Sequence, residues 1–96
     1  MELNLKRPIA FFDLETTGLN IMHDRIVEVS VLRINVNGTQ EQRTWRINPG
    51  IPIPPETTAI HGISDADVAH EKTFKQVAPE ISKFFGNCDL AGYNTT

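Results

Sequence analysis

A short apolar run that ends in two carboxylates is the strongest constraint on how this chain folds. Residues 8–12 read Pro-Ile-Ala-Phe-Phe and are followed by Asp13, Leu14 and Glu15, which predicts a central strand over residues 8–15 that is buried on both faces. Because side chains alternate along a strand, Asp13 and Glu15 point to the same face. Two like charges there are costly unless a cation lies between them, so the pattern predicts a Mg²⁺ or Mn²⁺ site. A solvated strand end is the alternative, since such pairs also arise by chance.

The next segment predicts a β-hairpin. Arg25–Val36 is rich in β-branched residues, and Thr39–Ile47 is a more polar return strand. Asn37 and Gly38 lie between them, and this dipeptide predicts a hairpin turn because both residues tolerate positive φ.

The second half of the chain predicts a loop, a helix and a final strand. Asn48–Glu56 contains four prolines and is expected to be an extended surface loop. Ser64–Ala69 predicts one helical turn with a capping box. The apolar stripe of Phe74–Phe85 predicts a helix, and Cys88–Tyr93 predicts a strand. The order β-β-β-α-β indicates an α/β fold with a mixed sheet, in which a crossover helix returns the chain parallel to the first strand.

Composition excludes several classes of protein. The 96 residues include 9 basic and 12 acidic side chains, and the net charge of −3 argues against a broad basic face for nucleic acid. No apolar run approaches the roughly 20 residues of a membrane span. Met1–Arg7 is not followed by the apolar region of a secretory signal. The single Cys88 forms no internal disulfide, which fits a reducing, cytoplasmic location.

Residues around the carboxylate pair resemble a known family. Phe11–Leu19 reads Phe-Phe-Asp-Leu-Glu-Thr-Thr-Gly-Leu and resembles the first exonuclease motif of the DEDD superfamily of 3′–5′ exonucleases, the relatives of RNase T and of the epsilon subunit of DNA polymerase III. Arg25–Ser30 resembles the family's second strand, Ala59–Ser64 its substrate-contacting segment, and Ala91–Asn94 the start of its second motif. The resemblance implies an RNase H-like fold and hydrolysis of phosphodiesters at 3′ ends of DNA or RNA with two Mg²⁺ or Mn²⁺ ions.

The resemblance also implies roles for individual residues. Asp13 and Glu15 would hold the metal ions and serve catalysis. Substrate contacts are implied for six residues: Thr16, Thr17, Gly18, Leu19, His61 and Asn94.

Each implied contact has a structural alternative. The Thr-Thr-Gly segment would only make a turn, and Leu19 would be a core residue. His61 would be a loop histidine that is bonded to a backbone carbonyl, although the proline-rich loop beside it is expected to have no core of its own. Asn94 would fix the end of its strand.

Three further interpretations depend on burial. Glu28 either supports the metal site or pairs with Arg25 or Arg46, and the structural role is favoured. Trp45 is expected to lie on a face of the sheet, and stacking on a base is the alternative for an exposed aromatic residue. The helix stripe is expected to be core throughout: Phe74, Val77, Ile81, Phe84 and Phe85.

The chain departs from the family pattern at its end. In the family, the second motif continues past Asn94 to a metal-binding Asp, and a later motif brings a His or Tyr base and the fourth carboxylate. Residues 1–96 are therefore expected to be the N-terminal part of a single exonuclease domain, with little or no turnover alone. The Ile60–Ile63 segment favours the branch with a His base, and His23, His61 and His70 do not match that base.

The sequence also predicts binding partners and leaves two competing functions open. The implied partners are a single-stranded 3′ end of DNA or RNA and, as a further candidate, a DNA polymerase, with no membrane. Self-association is expected if an incomplete domain exposes a sheet edge. A non-catalytic nucleic-acid-binding or polymerase-interaction module is the alternative function. A metal-dependent phosphotransferase of the same fold would leave Thr16–Leu19 and Ile60–Ile63 as coincidences.

Overall fold

The computed structural model describes residues 6–20 and 22–95, with side chains described up to Leu90. Its elements are, in chain order, β1 (Ile9–Thr16), β2 (Ile26–Ile34), β3 (Gln40–Arg46), α1 (Pro55–His61), α2 (Asp65–Val68), α3 (Phe74–Phe85) and β4 (Asp89–Thr95). The sheet order is β3-β2-β1-β4, with β2 antiparallel to both neighbours and β4 parallel to β1. This confirms the mixed sheet and the crossover helix. In the described part of the chain, no helix has the length and apolar character needed to cross a membrane.

The hairpin between β2 and β3 lies where the sequence predicts it. The N–H of Asn35 donates to the carbonyl of Thr39 at 2.8 Å, and that of Gly38 donates to the carbonyl of Asn35 at 2.9 Å. Gly38 has a φ of 87°, whereas no described residue other than glycine has a positive φ. The predicted hairpin is confirmed, and its loop closes with a single left-handed glycine, which is the three-residue pattern, so Asn37 does not take a positive φ.

Helix α3 covers one face of the sheet. The predicted capping box of Thr73 and Gln76 begins the helix, and Val77 and Ile81 are its buried residues. They form one core with buried residues of the sheet and of the segment after it: Ala10, Val29, Val31, Trp45 and Ile47.

The favoured interpretation of Trp45 is confirmed, whereas the expectation that Phe74 is a core residue is wrong. Trp45 is only 6% exposed, and its ring lies 5.6 Å from that of Phe84 in an edge-on contact, so it is a packed residue on a face of the sheet and does not offer a free face to a base. Phe74 is 45% exposed because it is the first residue of α3 and lies beyond the buried part of the stripe.

The opposite face of the sheet is open. Phe11 is 41% exposed and Asp13 is also exposed, so the prediction that β1 is buried on both faces is wrong. The reason is that α3 packs on the face that carries Ala10 and Phe12, whereas alternation places Phe11 and Asp13 on the other face. Strands β3 and β4 are the two edges of the sheet, and self-association through an edge stays a prediction.

A second core packs α2 and the segments on either side of α1 against the sheet. It consists of four buried residues from β2 and from the segment between β3 and α3: Val27, Ile53, Ile63 and Val68. The expectation of a loop over Asn48–Glu56 is therefore wrong at its end, where α1 begins at Pro55, and the segment does have a core of its own. Proline fits the first turn of a helix because no N–H is needed there, and Gly62 ends α1 with a φ of 79°. The predicted capping box at Ser64 begins α2.

A register shift in β2 separates the two cores. Glu15 pairs with Glu28, but the next residue, Thr16, pairs with Ile26, so Val27 is left over at this point. Ile26 packs against the core under α3, whereas Val27 belongs to the second core. A β-bulge redirects side chains in this way, and this one lies directly after Glu15.

Candidate functional site

Asp13 and Glu15 lie on the open face of the sheet, near the end of β1. Both precede the register shift, so their side chains point to the same face, as the sequence predicts. Asp13 is exposed and Glu15 is half-buried. Asp13 is in register with Ser30 of β2 and with Asn94 of β4. The side chain of Asn94 lies outside the described residues, so its predicted contact stays a prediction.

A third carboxylate lies opposite Glu15 on the neighbouring strand. Glu28 is the cross-strand partner of Glu15, a position in which Cβ atoms are roughly 4.5–5.5 Å apart. Glu28 forms an ion pair with Arg46 at 3.3 Å, which confirms the structural role that the sequence favoured. Arg46 therefore places a positive charge close to Glu28, which lies opposite Glu15.

The donor set of the β1 pair fits a hard divalent cation. Carboxylate oxygens are the ligands that Mg²⁺ and Mn²⁺ prefer, and the open face leaves Asp13 accessible. Over residues 6–20 and 22–95, no group of three or more His, Cys, Asp or Glu side chains is arranged to hold a metal ion. Asp13 and Glu15 alone would supply two ligands and not a full set, and their role as metal ligands stays a prediction.

The turn that follows β1 is held by Thr17 and Asp24. Thr17 is 1% exposed, and its hydroxyl donates to Oδ1 of Asp24 at 2.7 Å while it accepts from the N–H of Arg25 at 3.0 Å. The N–H of Thr17 donates to the carbonyl of Arg25 at 2.8 Å. Thr17 therefore forms the turn, as its structural alternative predicts, because its hydroxyl and its N–H already have partners inside the protein.

The neighbours of Thr17 are more accessible. The hydroxyl of Thr16 donates to the carbonyl of Gly18 and accepts from its N–H at 3.3 Å. A Cβ atom at Gly18 would lie 2.5 Å from Oδ2 of Asp24, so a larger residue at this position would displace that carboxylate. Leu19 is 88% exposed, and the alternative that it is a core residue is wrong. The turn that follows β1 therefore carries an exposed leucine, four residues after Glu15.

Asp24 is the residue of this site that sequence reasoning missed. Its Oδ2 accepts from the N–H of Asn20 at 2.7 Å. The hydrogen bonds from the Thr17 hydroxyl and then from Asn20 hold the pKa of Asp24 below its ordinary value of 3.8. No local motif joins Thr17 to an acid seven residues away. The only sign of this role in the sequence was that Asp24 lies just before the predicted second strand.

His61 joins helix α1 to the end of β1. Its Nδ1 accepts from the N–H of Ile63 at 3.1 Å, so the hydrogen-bond pattern places the ring proton on Nε2. Nε2 then donates to the carbonyl of Thr16 at 3.0 Å. Thr57 adds a second link, because its hydroxyl donates to the carbonyl of Thr17 at 3.0 Å. His61 is therefore bonded to a backbone carbonyl, as its structural alternative predicts. Its contact with a substrate stays a prediction.

The comparison with known proteins decides the family. A family model described as exonuclease, of the RNase T type, matches residues 10–96. The chain belongs to this exonuclease family. That result confirms the resemblance to the DEDD superfamily on which the sequence analysis relied.

Relatives of this exonuclease-family chain include polymerase components. The DNA polymerase III PolC-type protein of Streptococcus thermophilus is 33% identical over 85 residues, which cover 88% of this chain and 6% of that protein. The DNA polymerase III subunit epsilon-like protein of Rhodobacter capsulatus is 39% identical over 93 residues, which cover 93% of this chain and 13% of that protein. The chain thus spans a small part of these relatives.

Solved exonuclease structures share the fold. Exonuclease X in complex with 5′ overhanging duplex DNA is 30% identical with a TM-score of 0.66, and the match covers 76% of this chain and 42% of that one. E. coli Exonuclease I in complex with a dT13 oligonucleotide is 18% identical with a TM-score of 0.74, over 93% of this chain and 20% of that one. The RNase H-like fold of the exonuclease family is therefore confirmed.

Replacing the buried threonine of this exonuclease-family turn is expected to destabilise the protein. Thr17→Val keeps the shape of the side chain but leaves Asp24 and the N–H of Arg25 without that hydroxyl, at a cost of about 1–3 kcal/mol in the free energy of unfolding. Urea denaturation measures the change. Thr44→Val is the matched control, because Thr44 is exposed in β3 and surface changes usually stay within about 0.5 kcal/mol. Equal effects of the two variants would contradict the role of Thr17.

The stability of the protein is expected to fall in acid through two aspartates. Hydrogen bonds lower the pKa of Asp24, from Thr17 first, and of Asp67, from the backbone N–H and then the hydroxyl of Ser64. A pKa that is lower in the folded state adds stability above the ordinary value of 3.8, and this stability is lost as pH falls through the folded pKa. Urea midpoints measured from about pH 6 to about pH 3 follow the loss. Asp24→Asn and Asp67→Asn should each flatten the curve; a slope unchanged by both would contradict the assignment.

Proposed function

We propose that this protein is a 3′–5′ exonuclease that removes nucleotides from single-stranded 3′ ends of DNA or RNA. The observation that carries the proposal is the pair Asp13 and Glu15, which lies on the open face of the sheet in a chain of the exonuclease family. The exposed Leu19 follows this pair in the same turn. Carboxylates alone repel a phosphodiester, so the function requires a cation at this position.

Asp13 and Glu15 would hold Mg²⁺ or Mn²⁺, with two ions in the complete site. When bound, the ions supply Lewis-acid stabilisation of the phosphodiester and lower the pKa of a water molecule. The protein's own part is to bind and orient. The carboxylates lie two residues apart on β1, and the strand fixes the direction in which both point.

The turn after β1 would bind the terminal nucleotide. Leu19 offers an exposed apolar side chain to a base, and Thr16 and Gly18, which are half-buried, would contact the nucleotide on the side of the turn that Asp24 does not cover. His61 would support this segment through the carbonyl of Thr16, and it would touch the nucleotide with its outer edge. Asn94 lies in register with Asp13 and would contact the same nucleotide.

The names of the relatives support a link to DNA synthesis. Two relatives are a PolC-type DNA polymerase III and an epsilon-like subunit, and the solved Exonuclease X is bound to DNA. We propose a role in proofreading or nucleic-acid processing in the cytoplasm, beside a polymerase partner. A non-catalytic nucleic-acid-binding module is the second candidate, because residues 6–20 and 22–95 hold no group of three or more metal-ligating side chains.

A single-turnover assay tests the proposal. The protein is mixed in excess with a 5′-labelled single strand and Mn²⁺, and the products are separated by length. A ladder that shortens from the 3′ end in single-nucleotide steps and disappears with EDTA supports an exonuclease. Metal-dependent binding of linear over circular single strands without cleavage supports the non-catalytic candidate. The proposal fails if the protein neither cleaves nor distinguishes a free 3′ end.

A further inference from the structure

One side chain holds both flanks of the turn that presents Leu19. Oδ1 of Asp24 accepts from the hydroxyl of Thr17, and Oδ2 accepts from the N–H of Asn20, each at 2.7 Å. The N–H of Asp24 also donates to the carbonyl of Asn20 at 2.7 Å. A single carboxylate therefore links the residues on either side of Gly18 and Leu19, in addition to the bonds that hold Thr16 and Thr17.

The close packing at Gly18 supports this dependence. A Cβ atom at Gly18 would lie 2.5 Å from Oδ2 and 2.9 Å from Cγ of Asp24. The carboxylate thus occupies the space that a side chain at position 18 would need. Leu19 is 88% exposed, so the anchored turn holds apolar surface in water that a stacked base would cover.

We propose that Asp24 is a positioning residue for the substrate, because its carboxylate fixes Gly18 and Leu19 so that Leu19 meets the terminal base of a strand bound at Asp13 and Glu15. This inference rests on the proposed function. Asp24 acts through the turn and touches neither the strand nor the metal. Its side chain is already committed to two hydrogen bonds inside the protein.

The test compares two affinities in the same protein. Binding of a 5′-fluorescein-labelled oligothymidylate with a free 3′ end is measured by fluorescence anisotropy in the presence of Mn²⁺, and Mn²⁺ binding alone is measured by titration calorimetry. Asp24→Ala is expected to weaken oligonucleotide binding about 10-fold, by analogy with the roughly 10–100-fold loss when a group that orients a metal ligand is removed. Mn²⁺ affinity should change much less than oligonucleotide affinity, since Asp13 and Glu15 lie on β1 and not on the turn.

Asp67→Ala is the matched control for a merely structural effect. Asp67 also accepts hydrogen bonds from the backbone N–H and hydroxyl of a nearby residue, Ser64, but it lies at the start of α2. Its loss should lower stability and leave oligonucleotide affinity unchanged. Asp24→Asn keeps the shape and one acceptor oxygen, and an intermediate loss of affinity is expected. If Asp24→Ala does not fold, Asp24→Asn carries the same comparison.

A double-mutant cycle separates positioning from general destabilisation. Leu19→Ala should weaken oligonucleotide binding in the wild-type background and have little further effect beside Asp24→Ala, because coupled residues are not additive. Two results would overturn the positioning role, provided that the wild-type protein binds both strand and metal. One is that the losses from Leu19→Ala and Asp24→Ala are additive. The other is that Asp24→Ala has wild-type oligonucleotide affinity. A wild-type protein that binds neither would overturn the proposed function and this inference together.

Discussion

Asp13→Asn is expected to weaken Mn²⁺ binding at least about 100-fold, because removal of a group that only supports a metal ligand already costs roughly 10–100-fold. The amide keeps the size of the side chain but has no negative charge for a hard cation. Asp13 is exposed on the open face of the sheet, so the fold itself does not depend on its charge. Neutralising Asp13 also removes repulsion from Glu15 on the same face. The variant should therefore be as stable as the wild type in EDTA, within about 0.5 kcal/mol.

Stability with and without metal measures the same effect independently. A metal that binds only the folded protein stabilises it by about 2.7 kcal/mol at 100 times its Kd, so Mn²⁺ should raise the urea midpoint of the wild type and not that of Asp13→Asn. Glu71→Gln is the matched control, since it also removes one negative charge but lies beside the edge strand β3. Equal Mn²⁺ stabilisation of Asp13→Asn and Glu71→Gln would contradict the metal-ligand role of Asp13.

Local patterns predicted most of the fold because they depend on neighbours in sequence. The apolar stripe and the Thr73 capping box gave the bounds of α3, and alternation along β1 gave the common face of Asp13 and Glu15. Helix α1 was missed because its prolines were interpreted as a loop. Pro55 at the first helical turn and Gly62 after the last are in fact a start and an end pattern for a short helix.

Contacts between distant residues explain what the sequence could not predict. The register shift after Glu15 depends on how β1 pairs with β2, and no single segment contains that information. The bond from His61 to the carbonyl of Thr16 spans 45 residues. Asp24 reaches Thr17 only because the turn folds back. The sequence thus predicted most of the residues of the candidate site, but it did not predict the hydrogen bonds that hold them in place.

Ile63→Ala is expected to destabilise the protein by about 2–5 kcal/mol, the usual cost of truncating a buried isoleucine. Ile63 is 2% exposed and belongs to the second core with Val27, Ile53 and Val68. That core is small and separate from the one under α3, so its loss should act locally. Amide hydrogen exchange should accelerate more in α1 and α2 than in β1 and β2, because proteins open in contiguous units of unequal stability.

Ile60→Ala provides the control for this second core. Ile60 lies in the same helix as His61 but is 72% exposed, so the same deletion should cost less than about 0.5 kcal/mol. Uniform acceleration of exchange over the whole sheet in Ile63→Ala would contradict a separate second core. Because the bonds from Thr57 and His61 end on the carbonyls of Thr17 and Thr16, local opening would also release the turn that carries Leu19. The second core therefore stabilises the candidate site as well as the helices that pack on it.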